Sequence, residues 1–468
     1  MRILSSETSE KVGKEVELAG WVDARRDHGK LIFIDLRDRA GIVQVVFNAK
    51  QGDVYKTAEN LRPEWVVRIK GKVGERPAGM INEDLETGKI EVSAEELEIL
   101  AEAETPPFDL STDGYEVNEE MRMKYRYLDL RRKRLNANLK ARHKIIDFTR
   151  QFFYKKDFTE IETPYISKST PEGARDYLIP SRQQPGNFYA LPQSPQQYKQ
   201  LLMIAGLERY FQIARCFRDE DTRGDRQPEF VQIDIEMSFV SQEEILDLIE
   251  EYLLSLFKEF YPERRLTLDK GKITRMTYDE AMKNYKTDRP DIRKDTKDDN
   301  ELAPLFVVDF PMFEGKKDGS WAAAHHPFTM PKIGGVKELK AQFKKDPTKI
   351  QAHQYDVVLN GWEIFGGSIR NHNPELLAAV FEVLGHKKVQ IEAKFGHILE
   401  AFKYGVPPHG GIASGLDRLV AILQNEPNIR EVFAFPKTGD GRDLMMDAPS
   451  EVDKEQLDEL GISLKKKK

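Results

Sequence analysis

Between Phe217 and Glu236 the chain reads F-R-D-E-D-T-R-G-D-R-Q-P-E-F-V-Q-I-D-I-E, setting Arg218, Arg223 and Arg226 among carboxylates and beside an aromatic ring, Phe230. Guanidinium forks match phosphate or carboxylate oxygens, so this set suits an anionic, planar ligand. From Phe230 the residues alternate. A strand there puts Val231, Ile233, Ile235 and Met237 on a core face, with Phe230, Gln232, Asp234 and Glu236 on a face too polar for a core. The same period sets Arg218 and Glu220 side by side at the end of a preceding strand. Between them Asp221 to Glu229, with Gly224 and Pro228, is rich in turn residues. The stretch reads as a hairpin with an open polar face and a mobile loop. An exposed hairpin with solvated charges is the plainer alternative.

Other residues of the same chemical kind recur downstream. Ala190 to Lys199 opens a helix whose first turn presents Ser194, Gln196 and Lys199 together. Asp356 to Gly361 and Trp362-Glu363-Ile364 read as two strands meeting at a turn. Gly366-Gly367-Ser368-Ile369-Arg370 continues the second strand with little bulk, which lets a ligand approach the backbone. Gly410 to Leu419 passes from a glycine-rich strand into a helix, placing Arg418 at its positive end. Glycine-lined strands, separated carboxylates and arginines on one sheet point to a nucleotide site. His325 and His326 are adjacent and should point apart, which argues against a shared metal site. Ser169 to Tyr177 reads as a flexible loop that either closes over a ligand or merely connects strands.

These groups need a scaffold, and 468 residues, 40% hydrophobic and 10% aromatic, suffice for two or three domains. Residues 1 to 104 read as five short strands, Val16–Val22, Leu31–Leu36, Ile42–Phe47, Glu64–Val73 and Ile90–Leu100, hence a small β-barrel of the OB type. Such barrels bind single-stranded nucleic acid through aromatics and basic residues. Phe33 alternates against Ile32 and Ile34, so it either points outward as a stacking platform or joins the core. Residues 105 to 135 read as a linker whose basic run, Arg122 to Arg134, meets a polyanion or is simply solvated. From Asn136 to Lys156 helical spacing takes over, with Ile145, Phe148, Phe152 and Phe153 as the apolar face. Phe158 to Ile161 then reads as a strand. Glu243 to Glu259 is an amphipathic helix. Arg275 to Pro304 is charged and weakly patterned, and Phe306 to Pro311 is a buried strand. The net charge of -7 leaves room only for local basic grooves. A lone Cys216 excludes an intrachain disulfide framework and reads as a core residue, consistent with a reducing cytoplasm. No apolar run approaches the ~18 residues of a membrane span. Lys465 to Lys468 read as a solvated tail.

Over nearly its whole length the chain resembles a known family. F-R-D-E and R-Q-P-E-F at Phe217 to Phe230, G-L-D-R at Gly415 to Arg418, and Pro164 after the long helix look like the three motifs of class II aminoacyl-tRNA synthetases. T-P-E-G-A-R-D-Y, L-P-Q-S-P-Q and P-H-G-G make it similar to the bacterial-type aspartyl-tRNA synthetases. The resemblance implies an α+β chain: an N-terminal OB barrel for the anticodon, then a class II catalytic domain from 136 to 468, an antiparallel sheet flanked by helices. It implies adenylation of L-aspartate by ATP and transfer to tRNA-Asp by a cytoplasmic homodimer. Arg218 is expected on the α-phosphate, Arg418 on the γ-phosphate, Phe230 under adenine and Glu220 at its amino group, with Arg226, Gln227, Gly415 and Asp417 completing the ATP site. Glu363 and Asp356 are expected to hold Mg²⁺, although Asp356 and Glu220 also fit as plain salt-bridge partners. The aspartate side chain falls to Arg370 and Lys199. Its ammonium falls to Glu172, Gln196 and Asp234, supported by Ser194 and His325. Arg26, Phe33, Gln44 and Glu91 match anticodon-reading positions, and Arg223 the acceptor end. His28 and Gly79 look like the pair of members that charge both tRNA-Asp and tRNA-Asn, with an amidotransferase completing Asn-tRNA.

The chain departs from that pattern in two places. The inserted domain usual in bacterial-type members is replaced by a connection at 294–304, and Phe365 stands where a third glycine is common. Competing readings are discrimination for tRNA-Asp alone, asparaginyl or lysyl charging, disfavoured by the two cations Lys199 and Arg370, and a synthetase-like RNA-binding protein without catalysis.

Overall fold

A computed structural model of the chain describes residues 1–169 and 173–465. Two compact units emerge, Met1–Asp109 and Leu110–Lys468.

In the first unit, strands β1 (Glu15–His28), β2 (Leu31–Arg37), β3 (Ile42–Asn48), β4 (Val66–Glu75) and β5 (Ile90–Ala101) close a barrel in the order β1-β2-β3-β5-β4. Strict alternation drives the closure. Ile32, Ile34, Leu36, Val43, Val45 and Phe47 turn inward and are buried, while Leu31, Phe33 and Asp35 stay on the outer face. β1 pairs with β4 through its first half and β2 through its second, bending at a bulge between Val22 and Ala24. Phe33 therefore faces outward, the first of the two orientations the sequence allows.

The second unit is built on an eight-stranded sheet. Its strands are β6 (Thr159–Glu160), β7 (Arg209–Phe217), β8 (Glu229–Ser238), β9 (Thr274–Thr277), β10 (Pro304–Val308), β11 (Gln354–Leu359), β12 (Trp362–Ile369) and β13 (His409–Gly415), in the order β9-β10-β11-β12-β13-β8-β7-β6. The inner pairs are antiparallel, and only the edge strands β9 and β6 run parallel to their neighbours. One face is covered by α1 (Lys133–Tyr154) and α3 (Gln242–Phe260), packed with α4 (Leu416–Leu423) in the main core. Ile145 and Phe153 are buried there, and Phe148 and Phe152 pack against Tyr252, whose hydroxyl shares a hydrogen bond with Thr149. The opposite face, with α2 (Gln196–Ile204), is left for polar side chains. Among the described residues no helix is long and apolar enough to cross a membrane.

Two expectations change here. The basic run at 122–134 is largely internal: Asp129, with no exposed surface, accepts from Arg122, Arg126 and Arg132, while Arg134 pairs with Glu426 and Glu431. The arginines are there to satisfy buried carboxylates, so they neither meet a polyanion nor form a solvated face. The weakly patterned segment from Arg275 holds strand β9 and a helix, Tyr278–Tyr285, whose N-cap Thr277 and Glu280 form a capping box. That T-x-x-E signature is visible in the sequence.

Candidate active site

β7 and β8 form the expected hairpin, Phe230 opposite Cys216 and Glu236 opposite Tyr210. Arg218 lies just past β7, and its backbone N–H donates to Pro228 to close the loop. Its guanidinium sits 4.9 Å from the centre of the Phe230 ring and donates to the Gln193 carbonyl, which fixes the cation before any ligand arrives. The loop tip is a tight turn in which Arg223 and Arg226 exchange backbone hydrogen bonds, and Arg226 pairs with Glu220 at 3.3 Å.

The polar face of β8 is not open at its far end. Asp234 and Glu236 have no exposed surface. Lys199 donates to Asp234 at 2.9 Å and lies 3.2 Å from Glu236, while Arg370 grips Glu236 through two hydrogen bonds of 2.9 Å. Burial opposes ionisation of Glu236, but Arg370 and Lys199 outweigh it and hold its carboxyl down to about 2. Asp234 goes the other way: burial outweighs the attraction of Lys199, and its carboxyl is pushed above the ordinary range. The difference lies in the bidentate fork, which only Glu236 receives. Asp234 Oδ1 has no hydrogen-bond partner among the described residues, so it can accept from a ligand. Gly411 makes the network possible, since a Cβ there would stand 2.0 Å from Glu236 Oε2.

Around this network a cavity of about 240 Å³ is lined by Ser194, Gln196, Lys199, Arg218, Asp234, His325, Glu363 and Arg370, all named from the sequence, and by Gln232, His326, Phe328, Gln354, Gly366, Gly367 and Ala413. Adjacent His325 and His326 share it, contrary to the expected divergence. Their surroundings differ nonetheless. Burial disfavours the His325 imidazolium, but Asp356, 3.4 Å away, raises it; His326, 3.1 Å from Arg370, is driven well below the ordinary range by burial and by Arg370 and Lys199.

β11 and β12 meet at Asn360-Gly361, both in the left-handed region of a two-residue hairpin turn. A bulge beside Val357 and Val358 then sends Ile364 and Phe365 together into the core, where Phe365 meets Tyr252 edge-on. The bulge leaves Glu363 and Gly366 on the cavity side, three residues apart, and gives Phe365 a packing role. A Cβ on Gly366 would press on the Asp356 and Glu363 carboxylates at 3.2 and 3.3 Å. Burial and the charge of Asp356 both raise the Glu363 carboxyl, so this pair of acids favours a cation between them. Gly367 lines the cavity, as expected of it, and has a packing reason as well: a Cβ there would meet the Gly411 carbonyl and the Tyr355 ring.

Several expected ATP residues stand apart from the cavity. Arg418 donates to the Glu363 and Asp225 carbonyls at the cavity's edge. Glu220, Arg223 and Arg226 line a second recess of about 290 Å³ with Arg175, Asp219 and Asp221. Gln227 is buried, its oxygen accepting from the Lys437 backbone. Asp417 has its oxygens taken by Arg142 and by the Val231 N–H, so its carboxylate ties α4 to α1 and β8. Gly415 precedes it as the last residue of β13. Glu172 lies outside the described residues, as do Lys466 to Lys468.

On the barrel, Arg26 makes a two-bond pair with Asp35, and Phe33 lies opposite Arg26 in the β1–β2 register. Gln44 donates to Glu91 at 3.0 Å. His28 ends β1 and is exposed, and Gly79 sits in the turn Ala78–Met80 with open space around it. The sequence reading passed over Arg76, which is buried beside this face and donates to the Ile90 carbonyl.

Residues 118–439 match the family described as tRNA synthetases class II (D, K and N), and residues 16–100 match the OB-fold nucleic acid binding domain. An aspartate-tRNA(Asp/Asn) ligase of Rubrobacter xylanophilus is 41% identical, covering 97% of this chain and 95% of its own. An aspartate-tRNA ligase of Staphylococcus saprophyticus is 40% identical, with 98% of each chain covered. The Rubrobacter match spans 577 positions against 468 residues here, so that relative carries sequence inside the matched span with no counterpart in this chain. In fold, the chain superposes on asparaginyl-tRNA synthetase from Pyrococcus horikoshii, complexed with asparaginyl-adenylate, with a TM-score of 0.74 at 24% identity, covering 94% of this chain and 98% of that one. A putative aspartyl-tRNA synthetase from Leishmania major gives 0.73 at 23% identity, with 93% and 94% covered. With the class II model covering most of the chain and relatives near 40% identity from end to end, the chain belongs to the class II aminoacyl-tRNA synthetases, in the aspartate-tRNA ligase family.

Proposed function

We propose that this protein ligates L-aspartate to tRNA through an aspartyl-adenylate, and that it accepts both tRNA-Asp and tRNA-Asn. The observation that carries the first part is the buried quartet Lys199, Arg370, Asp234 and Glu236, whose charges balance before substrate enters. Aspartate then finds Arg370 and Lys199 for its side-chain carboxylate and Asp234 Oδ1 for its ammonium. Asparagine sets an amide against the same cations. A site built around a specific polar partner discriminates by about 10⁴ to 10⁵.

The α-carboxylate of aspartate is itself the nucleophile at the α-phosphate of ATP, so positioning and charge stabilisation carry the reaction. Arg218, held against Phe230 and Gln193, is oriented to meet the α-phosphate, and Arg418 lies toward the γ end. Adenine stacking on Phe230 and contact with Glu220 follow from the family pattern. Asp356 and Glu363 fit Mg²⁺, which takes one or two carboxylates plus phosphate oxygens and water in place of an all-protein cage. When bound, the ion supplies positive charge at the phosphates.

Arg26, Phe33, Gln44 and Glu91 present an outward aromatic and hydrogen-bonding groups to unstacked anticodon bases. The pair His28 and Gly79 supports charging of both tRNAs, as does the Asp/Asn naming of the Rubrobacter relative; the product on tRNA-Asn would pass to an amidotransferase. A second copy of the chain would pack near Pro164, where Tyr165, Ile166, Leu178 and Phe188 are exposed around a short ribbon, Leu178–Pro180 with Phe188–Ala190. The buried Cys216, which forms no disulfide, accords with a cytoplasmic setting. Aminoacylation of separate tRNA-Asp and tRNA-Asn transcripts tests the assignment. Comparable charging of both is expected; failure with tRNA-Asn alone refutes dual specificity, and failure with both refutes the ligase.

A further inference from the structure

Asp225, at the tip of the β7–β8 loop, receives two arginines on one oxygen. Arg418 Nη2 lies 3.5 Å from Asp225 Oδ2 and Arg289 Nη1 lies 3.9 Å from the same atom. Arg289 belongs to none of the stretches that mark the site in sequence; it sits in Asp288 to Arg293, just before the shortened connection. That segment has a firm base. Pro290 is buried, Asp291 packs against Gly361 at the β11–β12 turn, and Arg293 donates to the Asp291 carboxylate and to the Asp298 carbonyl within the connection. Arg418 in turn lies 3.7 Å from the Glu363 carboxylate, which lines the cavity, so the arginine pair sits on the carboxylate side of it.

The Arg289 side chain is half-exposed and its contact with Asp225 is long, so the pair is weak and exchangeable. Two guanidinium groups sharing one carboxylate oxygen would turn readily to an anion of higher charge. Resting on the proposed assignment of the ATP site, we propose that Arg289 is a polyphosphate-binding residue that joins Arg418 on the β- and γ-phosphates. In adenylation a carboxylate oxygen of aspartate bonds to the α-phosphorus and the bond from that phosphorus to the bridging oxygen breaks. Pyrophosphate departs with the electron pair, and Arg289 and Arg418 face the charge it carries away. The short connection acquires a task here, clamping the segment that bears this arginine.

The test is aspartate-dependent ATP-pyrophosphate exchange with full-length R289A and R289K, run beside R218A and R418A. R289A should raise KM for ATP and for pyrophosphate about tenfold while KM for aspartate stays within about twofold, and R289K should recover most of the loss. An ATP KM within about twofold of wild type in R289A, with exchange abolished in R218A and R418A, overturns the role of Arg289 alone. A parallel rise in the KM values for ATP and for aspartate, with a lowered melting temperature, also overturns it, since that marks a structural residue. Undiminished exchange in R218A and R418A refutes the underlying site assignment instead.

Discussion

Replacing Glu236 by Gln removes one charge from the buried quartet while keeping its shape. Wild-type Glu236 has no exposed surface and a carboxyl held to about 2 against an ordinary 4.5. At 1.36 kcal/mol per pH unit that depression corresponds to roughly 3 kcal/mol of stability. The figure agrees with the ~3–5 kcal/mol expected when a buried ion pair loses one partner. Because the folded value lies below the unfolded one, this stability is present above about pH 4.5 and is lost as pH falls toward 2. E236Q should therefore be less stable by about 3 kcal/mol at pH 7, and its urea midpoint, followed by Trp321 and Trp362 fluorescence, should fall by roughly 1 M. Its stability should also decline less than wild type below pH 4.5. Arg370, without its fork partner, should lose orientation, so KM for aspartate should rise. An unchanged urea midpoint in E236Q, or an acid profile superimposable on wild type, would refute the account of the quartet.

Other substitutions separate the remaining roles. F33A should lower kcat/KM for tRNA by about tenfold to a hundredfold, since base stacking is worth about 1–3 kcal/mol, while ATP-pyrophosphate exchange is untouched; equal loss in both assays would remove Phe33 from the anticodon face. D129N should destabilise the catalytic unit by about 3 kcal/mol by leaving buried arginines undercompensated, with the salt dependence of tRNA binding unchanged. A shallower salt slope would return the basic run to the nucleic-acid surface. G411A, whose Cβ would overlap Glu236 Oε2 and the Ile235 carbonyl, should cost about 1–3 kcal/mol and weaken aspartate binding; wild-type stability and KM would show that the two strands have slack.

Much of this architecture is written in local periodicity. Alternation along β8 assigned its faces correctly because the strand has one apolar side, whereas around Phe33 it left two orientations open until the barrel closed; the α1 helix announced itself through Ile145, Phe148, Phe152 and Phe153. Cavity residues such as Lys199, Arg370 and Glu363 were legible through chemistry, as charges in otherwise strand-like or helix-starting stretches. What escaped depends on partners far along the chain. The arginines at 122–134 look like a surface run until Asp129, Glu426 and Glu431 are placed among them. Asp417 looks like a ligand group until Arg142 occupies it. Phe365 resists a period-2 reading because the bulge at Ile364 shifts the register, a feature set by strand pairing.

Aspartate-dependent ATP-pyrophosphate exchange tests the central claim most directly. The buried quartet predicts robust exchange with aspartate, background with asparagine or lysine, and loss of the signal in R218A and R370A. Comparable exchange with asparagine, or none with any of the three amino acids, would contradict it.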